Sequence, residues 1–576
     1  MVRALKKKEI TLLLNFFVAL FLFIPTVLFA QNFNEGLTYY QQKNYKKALS
    51  VFKNIHDPEG YLFAGKSYYA LGQYNQADSS LQHVTSDAAS QVYNEALYTS
   101  ALVDFQQKKF GHSLNTLLEV SNASSRNNLT SGAKNLYTQI LNYLTADQRE
   151  KIFSENVADQ VKFELLKTGL GKVSYSDAQN LYNSFTRNIR DPQWLQKAKQ
   201  FQASIGSSKA YQQKYGNTAG KLKPPKGTVY NIGVALPRYK PNEQGYGVVK
   251  GLYFGALLAA KEYNNKNRRA RAYLHFINTG TSTDSARAVV RSFAKQGYGD
   301  VIIGPLYSRQ AGAMISPASQ YRIPVIAPLA NADIGSQNSF LFQANPTSAI
   351  QGKIMAKYAI QELELNNFTV IADKNSTGAI SAKAFIKEAK QLNAKIAYNF
   401  IKNLQTKYQF SKYTRYFSAS SKPIKVVYAP LNNPNAMTLI DLLLRKARSV
   451  NRKITILGSQ EWGNHKFKPS ENKNLDIYFS ESTHQNQGKN LKQFKNKYRQ
   501  QFKRAGNEYA IIGYDVTRFI LKTLKKVGNP QLLRSAIPQQ PMYHGLARNI
   551  DFDGGNINKA VKIMHVDSTG HIQLQR

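Results

Sequence analysis

The segment Ile302-Ile-Gly-Pro-Leu-Tyr-Ser308 holds the chain's most suggestive binding chemistry. It ends a buried-strand pattern and opens a helical one. The loop Gly304–Ser308 therefore presents Tyr307, backbone N–H groups and the Ser308 hydroxyl at a helix start, where the helix dipole favours an anion such as a carboxylate. A plain N-cap, worth about 1 kcal/mol of helix stability, is the alternative role for Ser308. Farther along, Glu461 in Gly458-Ser-Gln-Glu-Trp462 follows another strand pattern. Its carboxylate suits an ammonium group and Trp462 could cover a bound molecule, although a solvated loop glutamate explains the same residue. Tyr428 and Asn432, after a further strand, are additional candidates.

Other patterns dissolve on inspection. Gly245-x-Gly247-x-x-x-Gly251 lacks the Gly-Lys-Ser/Thr ending of a phosphate loop and the dinucleotide spacing, so helix-packing glycines explain it better. Asp551-Phe-Asp-Gly-Gly-Asn556 misses the order and distal glutamate of an EF-hand and reads as a turn. Ser292-Phe-Ala-Lys295 and Ser50-Val-Phe-Lys53 both fit Ser-x-x-Lys without the companion motifs of serine acyl-enzymes. The nine histidines show no metal-ligand spacing, and the absence of cysteine excludes thiolate zinc sites, Fe–S clusters, disulfides, cysteine nucleophiles and a lipid-modified cysteine. Nothing among these patterns rises to an enzyme, and none of them calls for a cofactor or a metal.

The elements that must carry these residues alternate. Strand patterns at Val229–Leu236, Ala272–Ile277, Val301–Ile303 and Ile323–Ala327 are separated by helical ones at Gly245–Asn264, Ser282–Gln296 and Gln310–Gln320. The alternation restarts with strands at Thr369–Ala372, Lys395–Phe400, Lys425–Tyr428 and Thr455–Leu457, and helices at Ile380–Gln391 and Asn435–Arg448. This predicts an α/β domain over 227–576 built of two lobes, each a doubly wound parallel sheet, with a ligand cleft beyond the carboxyl ends of the strands. Residues 207–226, ending Lys221-Leu-Lys-Pro-Pro-Lys226, read as a linker.

Ahead of the linker the chain repeats itself. Gly36, Tyr39, Tyr45, Ala48 and Phe52 recur as Gly65, Tyr68, Tyr74, Ala77 and Leu81, with a degenerate third copy at Ala101, Asp104, Phe110, Ser113 and Leu117. Small residues at the first and fourth positions allow two helices to approach, so residues 31–206 read as an all-α domain of stacked helical hairpins, a platform for a protein partner or a spacer. The spacing resembles the tetratricopeptide repeat. Residues 1–30 have the order of a signal peptide: Arg3 and Lys6–Lys8, an apolar run from Ile10, then Leu28-Phe29-Ala30. Export with cleavage after Ala30 places the protein in the periplasm or elsewhere outside the cytoplasm; a retained anchor is the alternative.

Residues 227–576 carry a second resemblance. Ile302–Ser308, Ile323-Pro-Val-Ile-Ala-Pro328, Phe342-Gln-Ala-Asn-Pro346, Gln351-Gly352, Gly513-Tyr-Asp515 and the ending Gly545…Ile550-Asp-Phe-Asp-Gly-Gly-Asn556…Gly570 occur in the order seen in type I periplasmic binding proteins of the leucine/isoleucine/valine-binding class, which the domain resembles. The resemblance implies that Ser308 and the loop Leu329-Ala330-Asn331 bind the carboxylate and amino group of an amino-acid-like ligand. Asn331 stands where that family usually has threonine. It implies a role in ABC-type amino-acid uptake or sensing, with a transporter as partner. A helical repeat region ahead of such a domain is also similar to the activator of penicillin-binding proteins, which implies the alternative of an interaction protein that activates or positions a peptidoglycan synthase.

Length and charge set the outer bounds. With 576 residues, 42% of them hydrophobic and 12% aromatic, the chain can bury several cores and is not disordered. Its 77 Lys and Arg against 35 Asp and Glu give a net charge of +42, concentrated as +31 over 227–576 against +3 over 31–200. Such a field favours anionic partners, here an anionic envelope surface, or reflects only a solvated lysine-rich face. The basic runs have no aromatic stacking platform, which argues against nucleic acid.

Overall fold

The computed structural model describes residues 32–123, 128–215, 222–334, 340–404, 406–418, 423–468, 474–485 and 488–575. The expected signal peptide and residues 216–221 of the expected linker lie outside the described residues. The chain divides into two units between Thr228 and Val229. No helix among the described residues is long and apolar enough to cross a membrane.

In the first unit, small residues set the helix pairs. Helix 32–41 pairs with Tyr45–Phe52, Pro58–Ala70 with Tyr74–Leu81, and Ser90–Gln106 with Phe110–Ser121. A Cβ on Gly36 would lie 2.7 Å from the Phe52 ring and one on Gly65 2.6 Å from Leu81. The residue sixteen places on thus packs directly against helix backbone. In the third pair Ala101 and Leu117 are fully buried, and Ser113 donates to the Ala101 carbonyl at 2.7 Å. Helices Asn128–Leu141, Ala146–Phe153, Asp159–Gly169 and Tyr175–Asn188 continue around one core that includes Leu136, Ile140, Phe153, Leu166 and Phe185. Buried Arg149 donates to the carbonyls of Leu141, Leu144 and Leu165, which satisfies helix ends that would otherwise leave acceptors unpaired. Residues 208–215, expected to begin the linker, instead form a helix. Its Tyr211 is buried and accepts from Gly171 N at 3.1 Å while donating to the Val173 carbonyl at 2.9 Å.

The second unit has two sheets. β1 (Thr228–Leu236), β2 (Ala270–Asn278), β3 (Val301–Ile303), β4 (Val325–Ala327) and β5 (Leu341–Gln343) form the first, in the order β2-β1-β3-β4-β5, with β1, β3, β4 and β5 parallel. The second contains β6 (Asn367–Asp373), β7 (Lys395–Lys402), β8 (Val426–Ala429), β9 (Ile454–Gly458), β10 (Leu475–Glu481), β11 (Lys562–Val566) and β12 (Ile572–Leu574), ordered β12-β11-β10-β9-β8-β6-β7. Here β6 to β10 are parallel, while β11 and β12 add antiparallel strands that the expectation of a purely parallel sheet did not contain.

The chain passes between the lobes three times. It leaves the carboxyl end of β5 for helix Ser348–Gln361, whose Met355, Ala356 and Ala359 join the second-lobe core. It leaves the carboxyl end of β10 for helices Lys489–Phe502 and Glu508–Val527; Ile512, Val516, Phe519 and Ile520 of the latter return to the first-lobe core. It crosses again through 545–561 into β11. Because two crossings leave from strand carboxyl ends, those ends lie where the lobes meet. The glycines serve packing: a Cβ on Gly255 would lie 1.9 Å from the Ala510 carbonyl oxygen, and one on Gly513 2.2 Å from that of Leu252, so helices Tyr246–Lys266 and Glu508–Val527 cross almost backbone to backbone.

Candidate functional site

Three loops at the carboxyl ends of β1, β3 and β4 build the first-lobe wall. Tyr307 occupies the N-cap position of helix Ser308–Tyr321 and makes no side-chain cap; Ser308 is already inside the helix. The capping role weighed for Ser308 is therefore not the one it plays. Its Oγ accepts from Asn331 N at 3.1 Å and Ala332 N at 3.2 Å, and donates to Asn331 Oδ1 at 3.3 Å. This brings Ser308 and the Ala330–Asn331 loop together, with Ala330 buried and Asn331 exposed. Tyr307, 46% exposed, shares a hydrogen bond with the Tyr239 hydroxyl at 3.1 Å. Burial and the Tyr307 hydroxyl push the Tyr239 phenol up to about 12.

Gln343, at the end of β5, went unassigned at the sequence level. Its Nε2 donates to the carbonyls of Ala330 (3.2 Å) and Ala332 (2.6 Å), and its Oε1 accepts from Ile334 N at 3.0 Å. Its backbone N donates to the Asn556 carbonyl at 2.8 Å and its carbonyl accepts from Asn558 N at 2.9 Å. One buried residue thus ties the loop after β4, through its side chain, to the third crossing, through its backbone. The signal was present in Phe342-Gln-Ala-Asn-Pro346, but a buried glutamine at a strand end becomes informative only once its acceptors are located.

The second-lobe candidates separate. Glu461 is partly exposed and accepts from Ser459 Oγ at 2.6 Å. Trp462 is wholly buried: its Nε1 donates to the Ala429 carbonyl at 2.9 Å, and its ring folds onto Gly458, where a Cβ would lie 2.5 Å away. It is a core residue with no exposed surface to lay over a bound molecule. Tyr428 is equally buried, stacked on Phe385 with centroids 4.3 Å apart and its hydroxyl 2.6 Å from Ser381 Oγ. Burial pushes its phenol well above the ordinary value. Asn432 accepts from Gly378 N at 2.9 Å and donates to Thr377 Oγ1, so it fastens a helix start.

A different set of residues borders open space where the lobes meet. A cavity of about 390 Å³ is lined by Glu481, Thr483 and His484 at the end of β10, by Glu508 and Ile512 at the start of a first-lobe helix, and by Ala547 of the third crossing. Beside it, His484 N donates to the Ala547 carbonyl at 2.9 Å, and the buried Lys562 ammonium donates to the carbonyls of His484 (3.0 Å) and Ala547 (3.2 Å). Asp515 anchors the same strap by accepting from the backbone N–H groups of Leu546, Ala547 and Arg548 at 2.8, 2.9 and 3.0 Å. Burial raises the Asp515 carboxyl against the pull of those three donors, and burial lowers Lys562. Arg548, also buried, donates to the Pro328 carbonyl at the end of β4. The structure therefore has polar groups on both lobes and a charged, hydrogen-bonded connection between them. Two carboxylates bordering the cavity favour a cationic group such as an ammonium. Among the described residues no group of His, Asp and Glu could hold a metal ion.

The sequence model of the family described as periplasmic binding protein matches residues 248–571. No curated protein matches the chain. Among solved structures, a branched-chain amino-acid ABC transporter protein from Rhodospirillum rubrum aligns with a TM-score of 0.50 at 17% identity, over 60% of this chain and 99% of that one. A substrate-binding protein from Desulfitobacterium hafniense in complex with leucine aligns over the same shares at 17% identity with a TM-score of 0.44. At these identities the likeness shows the fold alone.

Proposed function

From the premise that this chain belongs to the periplasmic binding protein family, we propose that it is an exported, non-enzymatic solute-binding protein whose lobes close on a small amino-acid-like ligand, in ABC-type uptake or in sensing. The observation that carries this reading is the cavity where the lobes meet, with Glu481 and Glu508 on its border to receive an ammonium group. Across the first lobe, Ser308, Tyr307, Ala330 and Asn331 form the polar wall that would meet a carboxylate, and Ser308 can redirect its hydroxyl hydrogen from the long 3.3 Å bond to Asn331. Glu461 remains a second ammonium acceptor in this reading. Closure would be a hinge motion through the three crossings, and the difference in affinity between open and closed forms would supply the signal to a transporter.

A second reading is favoured by a specific observation: Trp462 and Tyr428, which would have covered a ligand, are buried in the second lobe. Together with the tetratricopeptide-like spacing of the helical unit, this supports an interaction protein that positions a cell-wall synthase. Thermal unfolding of the full chain against neutral and diamino acids and muropeptides separates the two. A ligand at 100 times its dissociation constant adds about 2.7 kcal/mol, and a shift with one chemical class supports the first reading. No shift with any of them overturns it in favour of the second.

A further inference from the structure

The segment 482–507 contains seven cations, Lys489, Lys492, Lys495, Lys497, Arg499, Lys503 and Arg504, and no Asp or Glu. Most of it is the helix Lys489–Phe502. Leu491, Phe494 and Tyr498 turn into the first lobe, and Phe502 stacks on Phe254 with centroids 4.6 Å apart, which fixes the helix on its apolar side. Lys489, Lys492, Lys495, Lys497, Arg499, Lys503 and Arg504 are all exposed around it. Lys497 pairs with Glu262 at 2.7 Å. Next to it Lys261 reaches Gln501, so the cationic face extends sideways onto the neighbouring helix Tyr246–Lys266. Asn496, Arg499, Gln500 and Lys503 line a shallow groove along the helix.

We propose that this face docks on an anionic phospholipid surface. Charge complementarity is the first argument: among the described residues only Lys497 of the seven cations is held by an acid, Glu262 of the neighbouring helix, and the others attract a surface of negative headgroups, each cation near the surface adding to the attraction. The groove, with two cations and two side-chain amides, suits a phosphate oxygen. Two observations favour a membrane over other anions. None of the exposed large hydrophobic residues of the described chain lies between 482 and 507, so the aromatic or aliphatic anchor of a protein interface is missing. The aromatic residues of the helix are turned inward, which leaves no platform for stacked bases. The apolar side is already buried, so the contact is peripheral and reversible by salt. This docking is independent of ligand binding in the cleft.

Co-sedimentation of the full chain tests it, using phosphatidylcholine vesicles with about one-third phosphatidylglycerol against pure phosphatidylcholine. The triple variant Lys492→Gln, Lys495→Gln, Arg499→Gln should lower binding by roughly 100-fold. The control Lys383→Gln, Lys387→Gln, Lys390→Gln removes the same charge from an exposed second-lobe helix face and should leave most of the binding. Raising the salt well beyond physiological strength should release the protein. No preference for the anionic vesicles, or equal loss in both variants, overturns the proposal. Stronger binding to soluble polyphosphate than to the vesicles also overturns it and assigns the face to a polymeric anion. Circular dichroism of both variants excludes unfolding as the cause.

Discussion

Asp515 holds the segment 546–548 of the third crossing, and its removal has a calculable cost. Asp515→Ala would take one acceptor from three backbone N–H groups, those of Leu546, Ala547 and Arg548. It would also leave the buried guanidinium of Arg548 without the nearby carboxylate that helps keep it charged. Each unsatisfied buried donor costs about 1–3 kcal/mol. These penalties overlap because water would enter the vacated space, so a loss of about 3–5 kcal/mol for the second unit follows. Urea unfolding followed by the signal of this unit would read it as a lower midpoint at unchanged slope. Asp515→Asn keeps one acceptor oxygen but turns an amide N–H₂ toward donors, and should fall between wild type and alanine. A loss below about 1 kcal/mol for Asp515→Ala would refute the reasoning, because it would mean that the strap does not depend on this carboxylate.

Trp462→Ala should destabilise the second unit by about 3–5 kcal/mol through the cavity it leaves, while ligand affinity measured by calorimetry well below the unfolding temperature stays the same; a lost affinity without lost stability would return Trp462 to the site. Ser308→Ala should weaken an identified ligand by about 1–2 kcal/mol without unfolding, as read by isothermal titration, and an unchanged affinity would remove the hydroxyl from the site. In the helical unit the hydrogen bond to Asp104 raises the His112 imidazole. A cation favoured in the folded state stabilises fully below its unfolded value of about 6.5, and the effect fades as the pH rises through the higher folded value. Thermal unfolding of that unit should therefore show greater stability near pH 6 than near pH 8, and Asp104→Asn should abolish the difference.

The fold was readable where periodicity changes. Val301–Ile303 was placed at the ends the structure gives it, and β1, β6, β8 and β9 lie within one or two residues of the expected runs. β10, with Asp476 and Glu481 inside it, and β11, with Lys562 and His565, were missed because those residues interrupt the apolar pattern of a buried strand; β12 was missed because it is three residues long and exposed. The first-lobe loops were legible because each follows its strand directly. Tyr428 and Trp462 were misplaced for a physical reason: β8 is buried on both faces, so alternation cannot tell cleft from core, and Gly458 lets an indole fold back that sequence spacing would send outward. Glu481, His484 and Glu508 carry no motif, and the cavity they border exists only because the chain crosses between lobes there. Gln343 belongs to the same class, since its partners lie on a different loop and a different crossing.

The central claim is that the cleft binds a small ligand with an ammonium group at the acidic cavity. Isothermal titration of the full chain with single amino acids, diamino acids and muropeptides, in wild type and in Glu481→Gln with Glu508→Gln, tests it most directly. The account predicts saturable binding of one class that weakens by about 1–3 kcal/mol in the double variant. Saturable binding unchanged by the two substitutions would contradict the acidic cavity as the ammonium site, and no binding by any of these ligands to a folded wild type would contradict the solute-binding function itself.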